Sequence, residues 1–126
     1  MRFVVVMIAV LTLAPVLASP QTQAPSLPLG TGRPDVEGIK RTVLKDDAKV
    51  TVTRVVFEPN AAEPPHTHPT DVILVPVVAG SVEFALAETR ITSLKAGEVQ
   101  FVPRRVVHSV KNTGKQPFEL IAITIK

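Results

Sequence analysis

Gly97-Glu98-Val99-Gln100-Phe101-Val102-Pro103-Arg104-Arg105-Val106-Val107-His108-Ser109-Val110-Lys111-Asn112 holds two short extended runs, 98–102 and 106–111, broken by Pro-Arg-Arg. Lys95-Ala96-Gly97 precedes the pair and Asn112-Thr113-Gly114 closes it, so both ends carry turn chemistry. Val and Phe fill the runs, as expected of strands that lie half-buried in a sheet. The same grammar extends outward in both directions. Further strands are expected at 41–44, 49–57, 72–78, 81–87, 89–94 and 118–125, separated by punctuators such as Glu58-Pro59-Asn60 and Ala79-Gly80. No segment carries a convincing helical period. Short strands at near-regular spacing predict an all-β antiparallel sandwich or barrel.

The chain has 126 residues, enough for one domain, and 45% of them are apolar, enough for one compact core. Cys, Tyr and Trp are absent, which excludes disulfides, thiol nucleophiles and tyrosine acid/base chemistry. The formal charge of +3 is spread thinly, with no basic run and no aromatic platform, so nucleic-acid binding is not expected. Residues 1–18 read as a secretory signal: Arg2, an apolar stretch over 3–17, then Val16-Leu17-Ala18 as cleavage site, with Thr22-Gln23-Ala24 as an alternative. A membrane anchor is the competing reading, but a span needs about 20 apolar residues and Pro15 shortens this run. Residues 19–35 form a Pro-rich linker, and the folded unit is expected over 36–126, periplasmic or secreted, with no stable membrane anchor after cleavage.

Segment 72–78 is apolar on both faces, and so is 120–125, which predicts cover on both sides. A homodimer and a monomer with a thick core both satisfy that pattern. Pro76 cannot donate to a ladder and should mark an edge, an end or a bulge.

All three histidines of the chain, His66, His68 and His108, are candidate metal ligands. Residues 66 and 68 project to one side of an extended segment, and His108 arrives from another strand. In this context the chain resembles the cupin superfamily. The second cupin motif is Gly, five residues, Pro-x-Gly, two residues, His, three residues, Asn; it is met at Gly97, Pro103, His108 and Asn112. The first is Gly, five residues, His-x-His, three or four residues, Glu, six residues, Gly; it is met at His66, His68 and Gly80. The resemblance covers the chain from about Arg41 onward and implies a double-stranded β-helix, or jelly-roll barrel.

Three departures stand out. Asn60 replaces the first glycine, Arg105 replaces the glycine after Pro103, and Ile73 stands where the family places its metal-binding Glu. Three imidazoles remain, a donor set that suits one divalent transition metal: Fe, Zn, Mn, Ni or Cu. Asp71 is a further candidate, as a ligand or beside one, because alternation puts it on the face of residue 73. Arg105 and Gln100 are candidates for binding substrate; Glu58 and Glu63, in a loop before the histidines, read as surface charges. The resemblance implies a metal-dependent dioxygenase-like or isomerase-like enzyme on a small oxygen-bearing substrate. The alternative is a barrel that binds a small ligand or metal without turnover.

Overall fold

The computed structural model describes residues 36–126; the expected signal and linker lie outside the described residues. Among the described residues there is no helix. Nine strands follow one another: β1 (Ile39–Asp46), β2 (Val50–Phe57), β3 (Ala62–His66), β4 (Val72–Pro76), β5 (Gly80–Leu86), β6 (Thr89–Leu94), β7 (Gln100–Val102), β8 (His108–Asn112) and β9 (Phe118–Ile125). They form a five-stranded sheet in the order β1-β2-β9-β4-β7 and a four-stranded sheet in the order β3-β8-β5-β6, with every pairing antiparallel. The expected all-β barrel of jelly-roll type is the fold observed.

β3 is the one strand that composition hides, since it contains Pro64 and Pro65. Prolines lack a ladder donor and are tolerated at sheet edges and bulges. β3 is an edge strand, and its register with β8 breaks between Glu63 and His66. The run expected over 72–78 ends at Pro76 for the same reason, leaving Val77 and Val78 exposed beyond the strand.

Alternation along β2 and β9 builds the barrel interior in a graded way. Phe57, Val55, Thr53 and Thr51 point inward from β2, opposite Phe118, Leu120, Ala122 and Thr124 of β9. At one end the sheets close on an apolar plug in which Phe57 and Phe118 pack with ring centroids 6.2 Å apart beside Phe84, Val82 and Val110. Burying side chains of this size stabilises the fold by about 1.5–3 kcal/mol each. Toward the other end the inward residues become threonines, and the sheets part around a cavity of about 490 Å³.

The motif positions owe their identity to backbone geometry. Asn60 (φ 66°), Gly97 (φ 76°) and Arg105 (φ 61°) are all left-handed, the conformation for which the family's glycines are suited. Gly80 is constrained differently: a Cβ there would stand 2.6 Å from Phe118 Cδ2. Asn112 is buried and clamps the end of the barrel, its Nδ2 donating to Phe57 O (3.0 Å) and Gln116 O (2.8 Å) while Oδ1 accepts from Gly114 N.

Candidate metal centre

His66 ends β3 and His108 begins β8, and the two residues are register partners across that ladder. His68 lies just beyond, on the segment leading to β4. That segment is tied back by Arg105, whose N–H donates to His68 O at 2.8 Å. The three rings converge, with centroids 4.0 Å apart for His66–His108, 4.8 Å for His68–His108 and 4.9 Å for His66–His68. One ligand nitrogen from each lies within 4.8 Å of the others.

Hydrogen bonds decide which nitrogen each ring can offer. His66 Nδ1 lies 2.6 Å from Pro64 O, and His108 Nδ1 lies 3.1 Å from Val106 O. A carbonyl only accepts, so Nδ1 is the donor in both rings, and Nε2 is the nitrogen that a neutral ring presents to a metal. Fixing the second ring nitrogen on a backbone carbonyl is the usual way a protein orients a metal-binding imidazole. The donor set therefore fits a divalent transition metal.

The wall of the cavity includes His68, His108, Thr51, Thr53, Val72, Leu74, Arg41 and Glu63. Ile73 is absent from it: paired with Ile123 on one side and Phe101 on the other, it belongs to the outward face of β4. Val72 and Leu74 take the inward positions. Asp71 shares the parity of Ile73, and its carboxylate accepts from the backbone N–H of Arg104 (2.8 Å) and lies 3.3 Å from the guanidinium of the same residue. The Arg104 hydrogen bonds hold the Asp71 carboxyl below its ordinary value. Gln100 pairs with Leu74 on β7, and Arg105 is exposed on its loop; neither lines the cavity.

A carboxylate approaches one of the three histidines, His66, from a residue whose sequence context suggested a solvated loop. Glu63, on β3, lines the cavity with its side chain only 11% exposed. Its Oε1 accepts from Arg41 Nη2 of β1 at 2.6 Å and stands 3.9 Å from His66 Nε2. Two prolines before the histidine obscured the strand that carries it. The one usable signal was its position three residues ahead of His66.

Comparison with known proteins agrees with this geometry. Residues 53–124 match the family model described as the cupin domain. The chain is 35% identical over 77 residues to germin-like protein subfamily 2 member 2 of Arabidopsis thaliana, and 32% identical over 77 residues to nectarin-1 of Nicotiana plumbaginifolia. Each match takes in 58% of this chain but only about a third of the relative's length, 35% and 34% respectively. Among solved structures, a domain from Bordetella pertussis superposes with a TM-score of 0.63 at 29% identity, covering 75% of this chain and 99% of that one. KdgF from Halomonas sp. superposes with a TM-score of 0.63 at 23% identity over 74% of this chain and 84% of that one, a likeness of fold.

Proposed function

The chain belongs to the cupin family, and on that premise we propose that it binds one divalent transition metal through His66, His68 and His108 and acts on a small oxygen-bearing molecule. The observation that carries this reading is the convergence of one nitrogen from each of His66, His68 and His108 within 4.8 Å, with Nδ1 of His66 and His108 turned to backbone carbonyls. A metal so held supplies Lewis acidity, or O₂ activation if it is iron. The protein's own part is to orient and to exclude water. Val72, Leu74, Val110 and Leu120 give the cavity an apolar wall, while Thr53 and Thr124 add polar side chains to it and the Thr51 hydroxyl donates to Asp46.

The proposed setting is periplasmic or extracellular, supported by the apolar run at 3–17 after Arg2. The proposed assembly is a homodimer, supported by the outward apolar row Val52, Ile123, Ile73 and Phe101, in register across β2, β9, β4 and β7. A second reading, binding without turnover, is favoured by one observation: among the described residues, the only carboxylate on the cavity wall is held by an arginine.

Metal analysis of protein purified without chelators, followed by O₂ uptake across diols, diketones and thiols, separates the readings. Bound iron with substrate-dependent O₂ uptake is the expected result for an oxygenase; bound zinc or copper without turnover supports the binder. Negligible metal in both wild type and the His66→Ala/His68→Ala variant ends the metal reading itself.

A further inference from the structure

We propose that Glu63 is the anionic ligand of this centre, supplied by β3 in place of the carboxylate missing from β4, and that Arg41 is the residue that positions it. The proposal rests on the metal reading above and adds to it a ligand from the strand that carries His66.

Strand geometry makes the placement informative. Residues three apart on a regular strand point to opposite faces. The register break between Glu63 and His66 cancels that alternation and brings both side chains to the same side. The two prolines between them stiffen the connection, because each fixes its own φ. The result is Oε1 at 3.9 Å from His66 Nε2. Two ligand atoms each about 2.1 Å from one metal stand about 3–4 Å apart, depending on the angle between them. Glu63 already lies within that range of His66, while the atoms that all stand within 4.8 Å of one another are those of the three histidines, so its carboxylate must swing inward to join them.

Charge points the same way. Three imidazoles bring no negative charge, and of the two cations on the cavity wall Lys126 is paired with Asp46 at 2.6 Å while Arg41 is paired with Glu63 itself. A divalent ion would add two more positive charges to a half-enclosed space where charges are weakly screened. Glu63 is the one carboxylate on that wall, among the described residues.

Arg41 accounts for how the carboxylate is held. Its Nη2 donates to Oε1 at 2.6 Å, while Nη1 is buried without a hydrogen-bond partner. An arginine fork matches a carboxylate with two donors, and here one is still available. Glu63 can therefore turn one oxygen toward His66 and keep the other on the guanidinium. A ligating carboxylate is commonly held in this way by a hydrogen-bonding neighbour.

The test is titration of Co(II) into the whole chain freed of metal, with wild type, Glu63→Gln and His66→Ala compared by affinity and by visible d–d absorption. The expected result is at least a roughly tenfold weaker Kd for Glu63→Gln, together with a shifted d–d spectrum. An unchanged spectrum overturns the assignment, even where affinity falls, because a nearby charge alone would weaken binding without altering the ligand set. If wild type itself takes up no Co(II), the metal reading has failed and the assignment with it. If Glu63→Gln does not fold, the neutral pair Arg41→Gln/Glu63→Gln removes the stranded charge and is held to the same two readouts.

Discussion

His66 and His108 face each other in register across β3 and β8, with their ring centroids 4.0 Å apart. A metal joining them would staple β3 to β8, its one neighbour in the sheet among the described residues. Ligand that binds the native state alone, at 100 times its Kd, stabilises by about 2.7 kcal/mol. For a domain of this size that corresponds to a rise in Tm of roughly 10–20 °C, at about 4–8 °C per kcal/mol. Zinc should raise the Tm of the metal-free wild type and leave that of His108→Ala unmoved. His108 is buried, so the variant will also start lower; the metal-induced shift is the quantity to compare. Equal shifts in the two proteins would remove His108 from the site.

Gly80 is fixed by packing and not by its own conformation. A Cβ at this position would lie 2.6 Å from Phe118 Cδ2, and Phe118 is itself buried against Phe57. Gly80→Ala should cost about 1–3 kcal/mol in urea unfolding, the usual range for forced overpacking. Phe118→Leu alone should destabilise by opening a void in the plug. Introduced together with Gly80→Ala it should cost less, because the smaller side chain makes room for the added methyl. A double-mutant cycle reads that coupling directly, and strict additivity would show that the two positions do not meet.

The barrel was legible in the chain because its constraints are local. Turn glycines, strand-length Val and Ile runs, and the spacing from Gly97 to Asn112 each report backbone geometry that the neighbouring residues impose. The three histidines were legible for the same reason: residues 66 and 68 share a side, and His108 opens a strand. Glu63 and Arg41 were not, because their pairing joins the edge strands of two different sheets and no short-range pattern encodes that meeting. β3 was hidden by Pro64-Pro65, which read as loop until the edge position that tolerates them is known. Asp71 followed Ile73 as alternation required, but the face they share is the outer one.

Arg105 occupies a left-handed position (φ 61°) where the family motif has glycine. That conformation costs a residue with a Cβ about 1–2 kcal/mol, while glycine loses about 0.5–1 kcal/mol more than alanine through entropy. Arg105→Gly should therefore leave stability unchanged or raise it by up to about 1.5 kcal/mol. Metal uptake should also be retained, since the hydrogen bond to His68 O comes from the backbone N–H. A clear loss of metal in Arg105→Gly, with stability intact, would assign its side chain to the site after all.

Acid should weaken the barrel partly through Glu119. Its carboxylate meets the Arg54 guanidinium through Nε and through Nη2 (2.9 Å), tying β9 to β2 on the outer face. The Arg54 hydrogen bond holds the Glu119 carboxyl below its ordinary value, against the smaller opposing effect of desolvation. A carboxyl whose folded value is depressed stabilises the fold fully above the unfolded value, near pH 4.3, and loses that contribution as pH falls through the folded value. The stability difference between wild type and Glu119→Gln should be constant from about pH 7 to pH 5 and shrink below about pH 4. Added salt should reduce it at every pH, because the pair is solvent-exposed. A difference that grows on acidification would contradict the sign.

The outer face of the five-stranded sheet carries the proposed dimer. Val52, Ile123, Ile73 and Phe101 align across four neighbouring strands, and Phe101, on the short edge strand β7, is 53% exposed. Val99, just before that strand, is 55% exposed as well. Contiguous apolar surface of this kind, extending to a sheet edge, marks an association surface more often than ordinary monomer surface. Phe101→Glu places a charge within it, where the partner copy would have to desolvate it. Sedimentation should find a dimer for wild type and a monomer for Phe101→Glu, with Co(II) uptake unchanged because the residue lies on the face opposite the cavity. A wild-type chain that sediments as a monomer at every concentration accessible to the measurement would leave this face without a partner and refute the dimer.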